Sequence, residues 1–381
     1  QPHIGIQCPD DDDVADDGED GSEDAGMLAW ESWSANCRHG PTFGVGPNGR
    51  FAFLVSLPCS IDVYHFRSGN AAYVRVLNHL ELESQLERSG IGTAVRHQRA
   101  AMADTPTEVV TSPWNGGRPS KAALKRTVGD PLFESYDLAH CNLMGPESLA
   151  VAAHARRNGI PLVVHAHTTA ANFAESFRGS SAVAPAFGRY LRWFYSLADV
   201  VVCPSDHTRR TLADAGVDGP ISVVTNGVDI ESLSGFETLR GIYRRRFDFE
   251  GLVVFSVGNV FERKGLTTFC RLAESTEHQF AWFGPYDTGP LASSVVRQRV
   301  SNPPQNATFT GWIDDIRGAY AAGDIYLFPT KNETQGIAAL EAMACGKPVV
   351  IRDIPTFEPL YTDGVACLTC ESLSEFRTAL R

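Results

Sequence analysis

The sequence lacks the features that mark several classes of protein. Nine cysteines among 381 residues are too few for a small secreted domain held together by disulfides. No apolar run approaches the roughly 18 residues that a membrane-spanning helix needs. The chain does not open with a basic stretch, an apolar stretch and a cleavage site, so no secretory signal is visible. We predict a cytoplasmic protein with reduced thiols.

Lysine is scarce, and the N-terminal segment has no positive charge. Only five of the 33 basic residues are lysines, and residues 1–26 contain neither Lys nor Arg. Ten of the 45 acidic residues lie within 10–24, which leaves 35 acidic residues against the 33 basic ones. The rest of the chain therefore has little net charge to attract nucleic acid, and we expect no nucleic-acid partner. The arginine bias and the acidic run together favour a halophilic archaeal source.

Composition and periodicity divide the chain into three segments. Residues 1–48 contain the acidic run, which repels itself and cannot form a core, so we predict a disordered extension there. Residues 49–240 and 241–381 alternate short β-branched or aromatic runs with helical stretches. This βαβ pattern is typical of parallel sheets covered by helices on both faces. We therefore predict an α/β protein with two Rossmann-like domains, the second of them truncated at its C-terminus.

The same patterns predict individual helices and strands. Apolar residues recur at helical spacing from Tyr73 to Leu80, which predicts a helix over 72–88. The other predicted helices cover residues 147–158, 185–196, 206–215, 265–274, 314–321 and 336–345. The predicted strands are 51–57, 93–97, 107–111, 136–141, 161–166, 198–203 and 221–225 in the first domain, and 252–257, 279–284, 306–310, 324–328 and 348–351 in the second. Such sheets bind ligands outside the carboxyl ends of their strands, so we expect the site in the cleft between the two domains.

Two glutamates flank the start of a predicted helix in the second domain. Glu333 follows the strand 324–328, Gly336 opens the helix, and Glu341 lies five residues further on, about 7.5 Å along the axis. The free N–H groups and the positive dipole end at Gly336 suit a diphosphate. One carboxylate could accept hydrogen bonds from sugar hydroxyls, and the other from the two hydroxyls of a ribose. The alternative is an ordinary helix with one surface glutamate and one structural glutamate.

A glycine and two cations follow the first strand of the second domain. Gly258 allows a tight turn directly after the strand 252–257, and Arg263 and Lys264 precede a predicted helix. Fixed cations stabilise a diphosphate leaving group more in the transition state than in the ground state, because its negative charge grows as the bond breaks. The alternative is a solvated Arg-Lys pair, although a helix N-terminus disfavours cations unless an anion is near.

These motifs resemble those of the retaining glycosyltransferases of family 4, which have the GT-B fold. Glu333 and Glu341 match the E-x7-E motif of that family. Arg263-Lys264-Gly265 is similar to the end of its R/K-x-x-x-x-K-G phosphate-binding loop. The segments Asn226-Gly227-Val228-Asp229 and Gly311-Trp312 resemble two further elements that recur in that family. The resemblance covers about residues 50–381 and is greatest to the haloarchaeal branch.

The resemblance implies a role for each matching residue. Glu341 is expected to hold the ribose of the donor, and Glu333 the transferred sugar. Lys264 and Arg263 are expected to hold the diphosphate. The resemblance further implies transfer with retention of anomeric configuration, without a metal or any cofactor besides the nucleotide-sugar donor.

The chain departs from the family pattern at one position. The family usually has an arginine directly after the glycine that corresponds to Gly258, and this chain has Asn259 there. Either Arg263 supplies the missing cation or the chain binds phosphate more weakly. We favour Arg263.

The first domain supplies two further candidates. His167 follows the strand 161–166 in a His-Thr-Thr segment that resembles the active-site histidine segment of family members acting on lipid-linked acceptors. Its imidazole could bind a sugar hydroxyl or orient the acceptor, or it could be structural. We favour it over His165, which lies within the strand and is expected to pack against a covering helix. Gly69 resembles the glycine of the first loop of GT-B enzymes, where backbone N–H groups approach a phosphate or sugar, but an ordinary connection is the alternative.

Metal and membrane signals are weaker. Cys367 and Cys370 form a single C-x-x-C pair, whereas a zinc site needs four ligands, so we predict no metal site. The stretch 187–195 mixes arginines with large aromatic residues. On a helix, it could contact a membrane surface at the inner face, or it could pack under a sheet.

Together, these observations predict a hexosyltransferase that uses a nucleotide-sugar donor and a lipid or glycan hydroxyl acceptor. One alternative is a GT-B sugar-nucleotide epimerase, which would release a changed sugar nucleotide without any acceptor. Another is a non-catalytic nucleotide-sugar binding protein. Such a protein would keep Glu341 but tolerate the loss of Glu333 and Lys264, and their presence argues against it.

Overall fold

The computed structural model describes residues 74–381, except residues 104, 116–131, 176–178, 290–291 and 359–360. Three predictions lie outside the described residues: the extension 1–48, the strand 51–57 and the Gly69 loop. None of the helices in the described part of the chain has the length and apolar character to cross a bilayer.

The first domain is built on a parallel sheet. Its six described strands are β1 (Val74–His79), β2 (Thr107–Val110), β3 (Leu138–Cys141), β4 (Leu162–His165), β5 (Val200–Cys203) and β6 (Ile221–Val223). They lie side by side in the order β2-β1-β3-β4-β5-β6, and every pair is parallel. Strand order changes direction between β1 and β3, so this is the switch point of the sheet.

The second domain repeats the arrangement. Its described strands are β7 (Val253–Val257), β8 (Gln279–Phe283), β9 (Ala307–Gly311), β10 (Ile325–Phe328), β11 (Val349–Arg352) and β12 (Leu368–Cys370). Their order is β12-β11-β10-β7-β8-β9, again with parallel pairing, and the switch point lies between β7 and β10. The prediction of two Rossmann-like domains is confirmed.

Helices cover both sheets. The described α-helices are α1 (Glu83–Leu86), α2 (Gly90–Ala103), α3 (Pro146–Asn158), α4 (Ala170–Ala174), α5 (Ser180–Tyr195), α6 (Asp206–Asp214), α7 (Ile230–Leu233), α8 (Arg240–Phe247), α9 (Leu266–Ala273), α10 (Ser294–Ser301), α11 (Arg317–Ala322), α12 (Ile337–Ala344) and α13 (Leu373–Ala379). The sequence of strand β7 is almost continuously apolar because the strand is buried on both faces. Val253 and Phe255 belong to one buried cluster and Val254 to another, so both faces of the sheet are covered.

The helix predicted over 72–88 is wrong. Val74–His79 is strand β1, and only the short helix α1 follows before residue 88. Val76 and Leu77 are adjacent in sequence and both buried, because β1 is covered on both faces. A strand covered on both faces does not alternate apolar and polar residues. The spacing of its apolar residues therefore also fitted a helix, which explains the wrong prediction.

The strand predicted over 93–97 is also wrong, because these residues lie inside helix α2. The β-branched residues Thr93 and Val95 suggested a strand. In the helix, Ala94 and Val95 are buried while Arg96 is exposed, which is the pattern of a helix with one face on the core.

Candidate functional site

A carboxylate and two cations meet at the switch point of the second sheet. The buried Glu333 is paired through Oε1 with Nζ of Lys264, and Nη1 of Arg263 lies 3.9 Å from the same oxygen. Thr330 Oγ1 donates a hydrogen bond to this oxygen at 3.4 Å. Thr356 Oγ1 donates to the Glu333 backbone carbonyl at 2.9 Å. Both the main chain and the side chain of Glu333 are therefore held in place.

Lys264 is a poorly hydrated cation. Burial lowers the pKa of Lys264 and the neighbouring Arg263 guanidinium lowers it further, whereas the Glu333 carboxylate opposes both effects. Its ammonium nitrogen also lies 5.3 Å from the centroid of the Phe328 ring. A charge in such surroundings interacts more strongly with an anion than it would in water.

The loop that carries the two cations is fixed against the end of β10. The backbone N–H of Lys331 donates to the Arg263 carbonyl at 2.7 Å. Gly265 has a φ of +86°, and a Cβ on this residue would collide with the carbonyl oxygen of Pro329. Only glycine lets the chain pass this close, which places Arg263 and Lys264 beside the Glu333 loop.

Gly258 forms the turn after β7, as predicted. Its φ is +128°, and Trp282 Nε1 donates to its carbonyl at 2.8 Å. No heavy atom of the described residues lies within 4 Å of the place where a Cβ would stand, so the turn has an open side. The neighbouring Asn259 is half-buried.

Glu341 faces the first domain from helix α12. Gly336 caps this helix with a φ of +86°, and Glu341 accepts a hydrogen bond from Tyr320 Oη. Burial raises the pKa of Glu341, while the Tyr320 hydroxyl and two groups on α2, His97 and Arg96, oppose the rise. Helix α2 belongs to the first domain, so two cationic or basic groups of that domain act on the Glu341 carboxylate.

The residues on either side of Glu333 bind the first domain. Asn172 Nδ2, on α4, donates to Asn332 Oδ1 at 3.2 Å, and Thr208 Oγ1, on α6, donates to the Thr334 carbonyl at 3.4 Å. Glu333 stands between these two contacts and faces the cations. One short loop therefore contacts both sides of the cleft.

Gln335 makes two hydrogen bonds to the first domain. Its Oε1 accepts from the backbone N–H of Asn226 at 2.9 Å, and its Nε2 donates to Thr225 Oγ1. The Asn226 carbonyl also lies 3.2 Å from Nδ1 of His97. Asn226 begins the predicted Asn-Gly-Val-Asp turn, which thus borders the cleft. The Gly311-Trp312 element borders it too, because the Arg88 guanidinium lies 5.1 Å from the centroid of the Trp312 ring.

Three imidazoles stack at the carboxyl ends of β3 and β4. The ring centroids are 5.8 Å apart for His140 and His165 and 4.0 Å apart for His165 and His167, with interplanar angles of 8° and 2°. His165 Nδ1 lies 2.9 Å from Nε2 of Gln98 on α2, which confirms that His165 packs against a covering helix. His167 Nε2 lies 3.1 Å from Asn142 Oδ1.

The stacked histidines are neutral at pH 7. Burial lowers the pKa of His140 to about 4. Burial, aided by His140, lowers the pKa of His167 to about 3, and burial with both neighbouring rings lowers the pKa of His165 well below its usual value. A neutral imidazole has one donor and one acceptor nitrogen, so its tautomer decides what it can bind.

The structure thus places the predicted residues in two groups. Glu333, Lys264 and Arg263 are in contact, and Glu341 lies eight residues beyond Glu333 on α12. His167 lies in the first domain, and within the described residues it is connected to the Glu333 loop through Thr169, which caps α4, and the Asn172–Asn332 hydrogen bond. Six residues that hold these groups were not among the predicted site residues: Gln98, Asn142, Asn172, Tyr320, Asn332 and Gln335. Asn142, Asn332 and Gln335 had a signal in the sequence, since each follows a strand and lies within two residues of a histidine or of a predicted site residue.

Comparison with known proteins agrees with this geometry. Residues 89–232 match the profile of Glycosyltransferase Family 4, and residues 251–381 match that of Glycosyl transferases group 1. The sequence is 31% identical over 291 residues to the processive diacylglycerol alpha-glucosyltransferase of Acholeplasma laidlawii, across 74% of this chain and 80% of that relative. It is 28% identical over 291 residues to a GDP-mannose-dependent alpha-mannosyltransferase of Mycobacterium tuberculosis, across 75% and 71% of the two chains.

The fold is also that of a solved structure. The crystal structure of Anabaena HepE in complex with UDP and glucose superposes with a TM-score of 0.60 at 16% identity, across 80% of this chain and 88% of HepE. At 16% identity, this similarity establishes a shared fold and says nothing about a shared substrate. The GT-B prediction is confirmed.

Proposed function

Because this chain belongs to the GT-B glycosyltransferases, we propose that it transfers a hexose from a nucleotide diphosphate sugar to a lipid hydroxyl, with the retention of anomeric configuration that its resemblance to family 4 implies. The observation that carries the proposal is the convergence of Glu333, Lys264 and Arg263 at a sheet switch point. An anion-binding pair beside a sugar-binding carboxylate is what a diphosphate sugar requires.

Each group of the second domain has a role in this proposal. Lys264 and Arg263 bind the diphosphate and stabilise the charge that grows on it. Glu333 accepts hydrogen bonds from the hydroxyls of the hexose. Glu341 accepts hydrogen bonds from the ribose, and the Tyr320 hydroxyl fixes the direction of its carboxylate. We also propose that the reaction needs no metal, because the two fixed cations supply the positive charge.

The reaction we propose is a displacement on one face of the sugar. The bond between the anomeric carbon and the diphosphate oxygen breaks, and its electron pair stays on the diphosphate. The acceptor oxygen forms the new bond to the anomeric carbon from the same face. Its proton passes to the departing phosphate oxygen, so no separate nucleophile is needed and the configuration is retained. His167 contacts a hydroxyl of the hexose or of the acceptor.

A pocket in the first domain supports a lipid acceptor. Its volume is about 430 Å³, and its lining is mostly apolar. Thr169 lines it only two residues after His167. Thr211 lines it further along α6, and Ala215 lines it directly after the helix ends. Helix α6 contacts the cleft near its start, at Thr208, so these residues lie progressively further from the cleft. We propose that one acyl chain of the acceptor occupies this pocket.

The helix beside the pocket supports peripheral membrane contact. Val183 and Trp193 on α5 are each about half exposed, at 52% and 49%. Arg189 and Arg192 on the same helix are exposed and line the pocket. Exposed apolar residues with arginines suit an anionic membrane surface, where the acceptor lipid resides. The haloarchaeal source remains a prediction from composition.

Nucleotide binding tests the donor half. UDP and GDP are titrated calorimetrically into the wild type and into Glu341→Ala. We expect one nucleotide to bind and the substitution to weaken it by about 1.5–3 kcal/mol, the scale of hydrogen bonds to a charged group. If neither nucleotide binds the folded protein, the donor site is misassigned. Incubation with a nucleotide sugar alone tests the alternative, because release of a changed sugar nucleotide without an acceptor would identify an epimerase.

Two substitutions at the end of α6 test the acceptor half. Ala215→Trp, directly after the helix, places a large side chain at a position that lines the pocket, and Ala213→Trp places the same side chain at a position of α6 that does not line it. Both positions are exposed, so the two variants differ in whether they block the pocket. We expect Ala215→Trp to lower transfer to dioleoylglycerol while transfer to a short-chain diacylglycerol persists, and Ala213→Trp to leave both unchanged. Equal loss on both acceptors in Ala215→Trp would contradict the assignment of the pocket.

A further inference from the structure

A chain of hydrogen bonds connects helix α2 to His167 across the switch point of the first sheet. It begins at Arg99, whose guanidinium can only donate. Arg99 Nε donates to Asn78 Oδ1 at 3.2 Å, and Glu83 forms an ion pair with the same guanidinium. Asn78 Oδ1 is therefore an acceptor, and Asn78 Nδ2 points the other way, to Gln98 Oε1 at 3.0 Å.

The orientation of the Asn142 amide follows from Asn78. The buried Asn142 has one side-chain atom 3.5 Å from Asn78 Oδ1 and 3.4 Å from the His79 carbonyl. Both of these neighbours are acceptors, so the atom facing them is the Nδ2 donor. The other atom, Oδ1, then faces His167 and must accept a hydrogen bond.

This orientation determines the tautomer of His167. Since Asn142 Oδ1 accepts, His167 Nε2 carries the proton and donates to it over 3.1 Å. Nδ1 then holds a lone pair, and no hydrogen bond from the described residues reaches it. The His165 ring, stacked at 4.0 Å, holds the plane of the imidazole.

We propose that Asn142 is a positioning residue that holds His167 as the Nε2–H tautomer, so that Nδ1 accepts a hydrogen bond from a substrate hydroxyl. The proposal rests on the proposed function for its substrate. An acceptor nitrogen selects a hydroxyl that donates, and it cannot bind a phosphate oxygen while the ring is neutral. His167 therefore serves the sugar or the acceptor hydroxyl, and not the diphosphate.

Nitrogen NMR of the full chain tests the tautomer without any substrate. The protein is labelled with [15N]histidine, and the His167 signals are assigned by their loss in His167→Gln. We expect a protonated Nε2 and an unprotonated Nδ1 in the wild type at pH 7. A protonated Nδ1 would overturn the proposal, whatever the enzyme does.

Two variants identify Asn142 as the cause. Asn142→Ala removes the acceptor and is expected to give a mixture of His167 tautomers. Asn142→Asp keeps an acceptor oxygen toward His167 and is expected to keep a proton on Nε2, while its second oxygen faces two acceptors in place of the amide donor. Gln98→Ala is the matched control, because it removes the hydrogen bonds to His165 and to Asn78 Nδ2 while Arg99 still fixes Asn78 Oδ1 as an acceptor. It should leave His167 unchanged, and an equal disturbance in this control would show that the effect is only structural.

Kinetics separate this proposal from the proposed function. With UDP-glucose and dioleoylglycerol, Asn142→Ala should lower kcat at least about tenfold and leave the affinity for UDP unchanged. An unchanged kcat together with a mixed tautomer would overturn the positioning role. If the wild type transfers no sugar, the proposed function fails and the tautomer result still stands. If Asn142→Ala does not fold, Asn142→Asp and the wild-type spectrum decide the tautomer.

Discussion

The pairing of Lys264 with Glu333 occupies the place where the donor diphosphate is proposed to bind. We predict that the donor diphosphate displaces the Glu333 carboxylate from Lys264 Nζ when it binds. The carboxylate keeps its weaker interactions with Arg263 and Thr330. We therefore predict that Glu333→Gln binds UDP more tightly than the wild type does, although it loses transfer activity.

The magnitude follows from the groups involved. The Lys264 side chain is 18% exposed and that of Glu333 is 8% exposed, so water screens their interaction little. A hydrogen bond between charged groups contributes about 1.5–3 kcal/mol. Glutamine still offers Lys264 a neutral acceptor, so the lower figure applies, and the Kd for UDP should fall about tenfold.

The same substitution should change stability in the opposite direction. Without UDP, Glu333→Gln leaves Lys264 beside Arg263 with no anion, so thermal unfolding should occur at a lower temperature than in the wild type. Saturating UDP replaces the missing anion and should restore much of the loss.

Calorimetric titration and a thermal melt measure both effects. Glu262→Gln is the matched control, because it removes one negative charge from the loop that carries Lys264, and no hydrogen bond or ion pair joins the Glu262 side chain to Lys264 in the described structure. It should leave the Kd within about twofold, since a partly exposed charge without a direct ion pair contributes little. If Glu333→Gln binds UDP no better than the wild type, Lys264 does not exchange Glu333 for the diphosphate, and the reasoning fails.

Three further predictions concern stability and domain contact. Burial lowers the pKa of His140 to about 4, from about 6.5 in the unfolded chain. The neutral imidazole therefore contributes on the order of 3 kcal/mol of stability, which is fully present above pH 6.5 and is lost as the pH falls toward 4. The free energy of urea unfolding should depend less on pH in His140→Gln than in the wild type over this range. Burial raises the pKa of Glu341, which contributes with the opposite sign, so only the difference between wild type and variant is diagnostic. Gly265→Ala should lose several kcal/mol of unfolding free energy by chemical denaturation, because of its positive φ and the Pro329 carbonyl, and a loss below about 1 kcal/mol would contradict this. Gln335→Ala removes two hydrogen bonds between the domains, so it should lower kcat/KM about tenfold and leave the affinity for UDP unchanged. Weaker binding of UDP by this variant would contradict the prediction.

Five of the six described strands of the second domain were predicted, because they are short, largely apolar and bounded by turns. Strand β12 (Leu368–Cys370) was not predicted, because it has three residues and Leu368 is exposed. Strand β7 was predicted as 252–257 and runs Val253–Val257. The first strand of the described sheet was not predictable in this way. The apolar residues of β1 sit at positions that also fit a helix, and only its pairing with β2 and β3 decides between the two.

The candidate site was predictable where local sequence determines it. Gly258, Lys264 and Glu333 follow strands that meet at one sheet edge, so their convergence follows from the strand order. The contacts of Asn142 and Gln335 were not predictable, although both residues follow strands. Their partners lie 25 and more than 100 residues away in sequence, and the direction of each amide depends on neighbours that only the folded chain supplies.

A transfer assay directly tests the proposal that Lys264 stabilises the leaving diphosphate of the sugar donor. UDP-glucose or GDP-mannose is incubated with dioleoylglycerol vesicles and either the wild type or Lys264→Ala, and the lipid product is identified by mass spectrometry and its anomeric configuration by NMR. We predict that the wild type forms an α-linked glycolipid from one of the two donors. Lys264→Ala should form at least about a hundredfold less product, because it lacks a charge that stabilises the leaving group. A β-linked product, or equal transfer by the variant, would contradict these predictions.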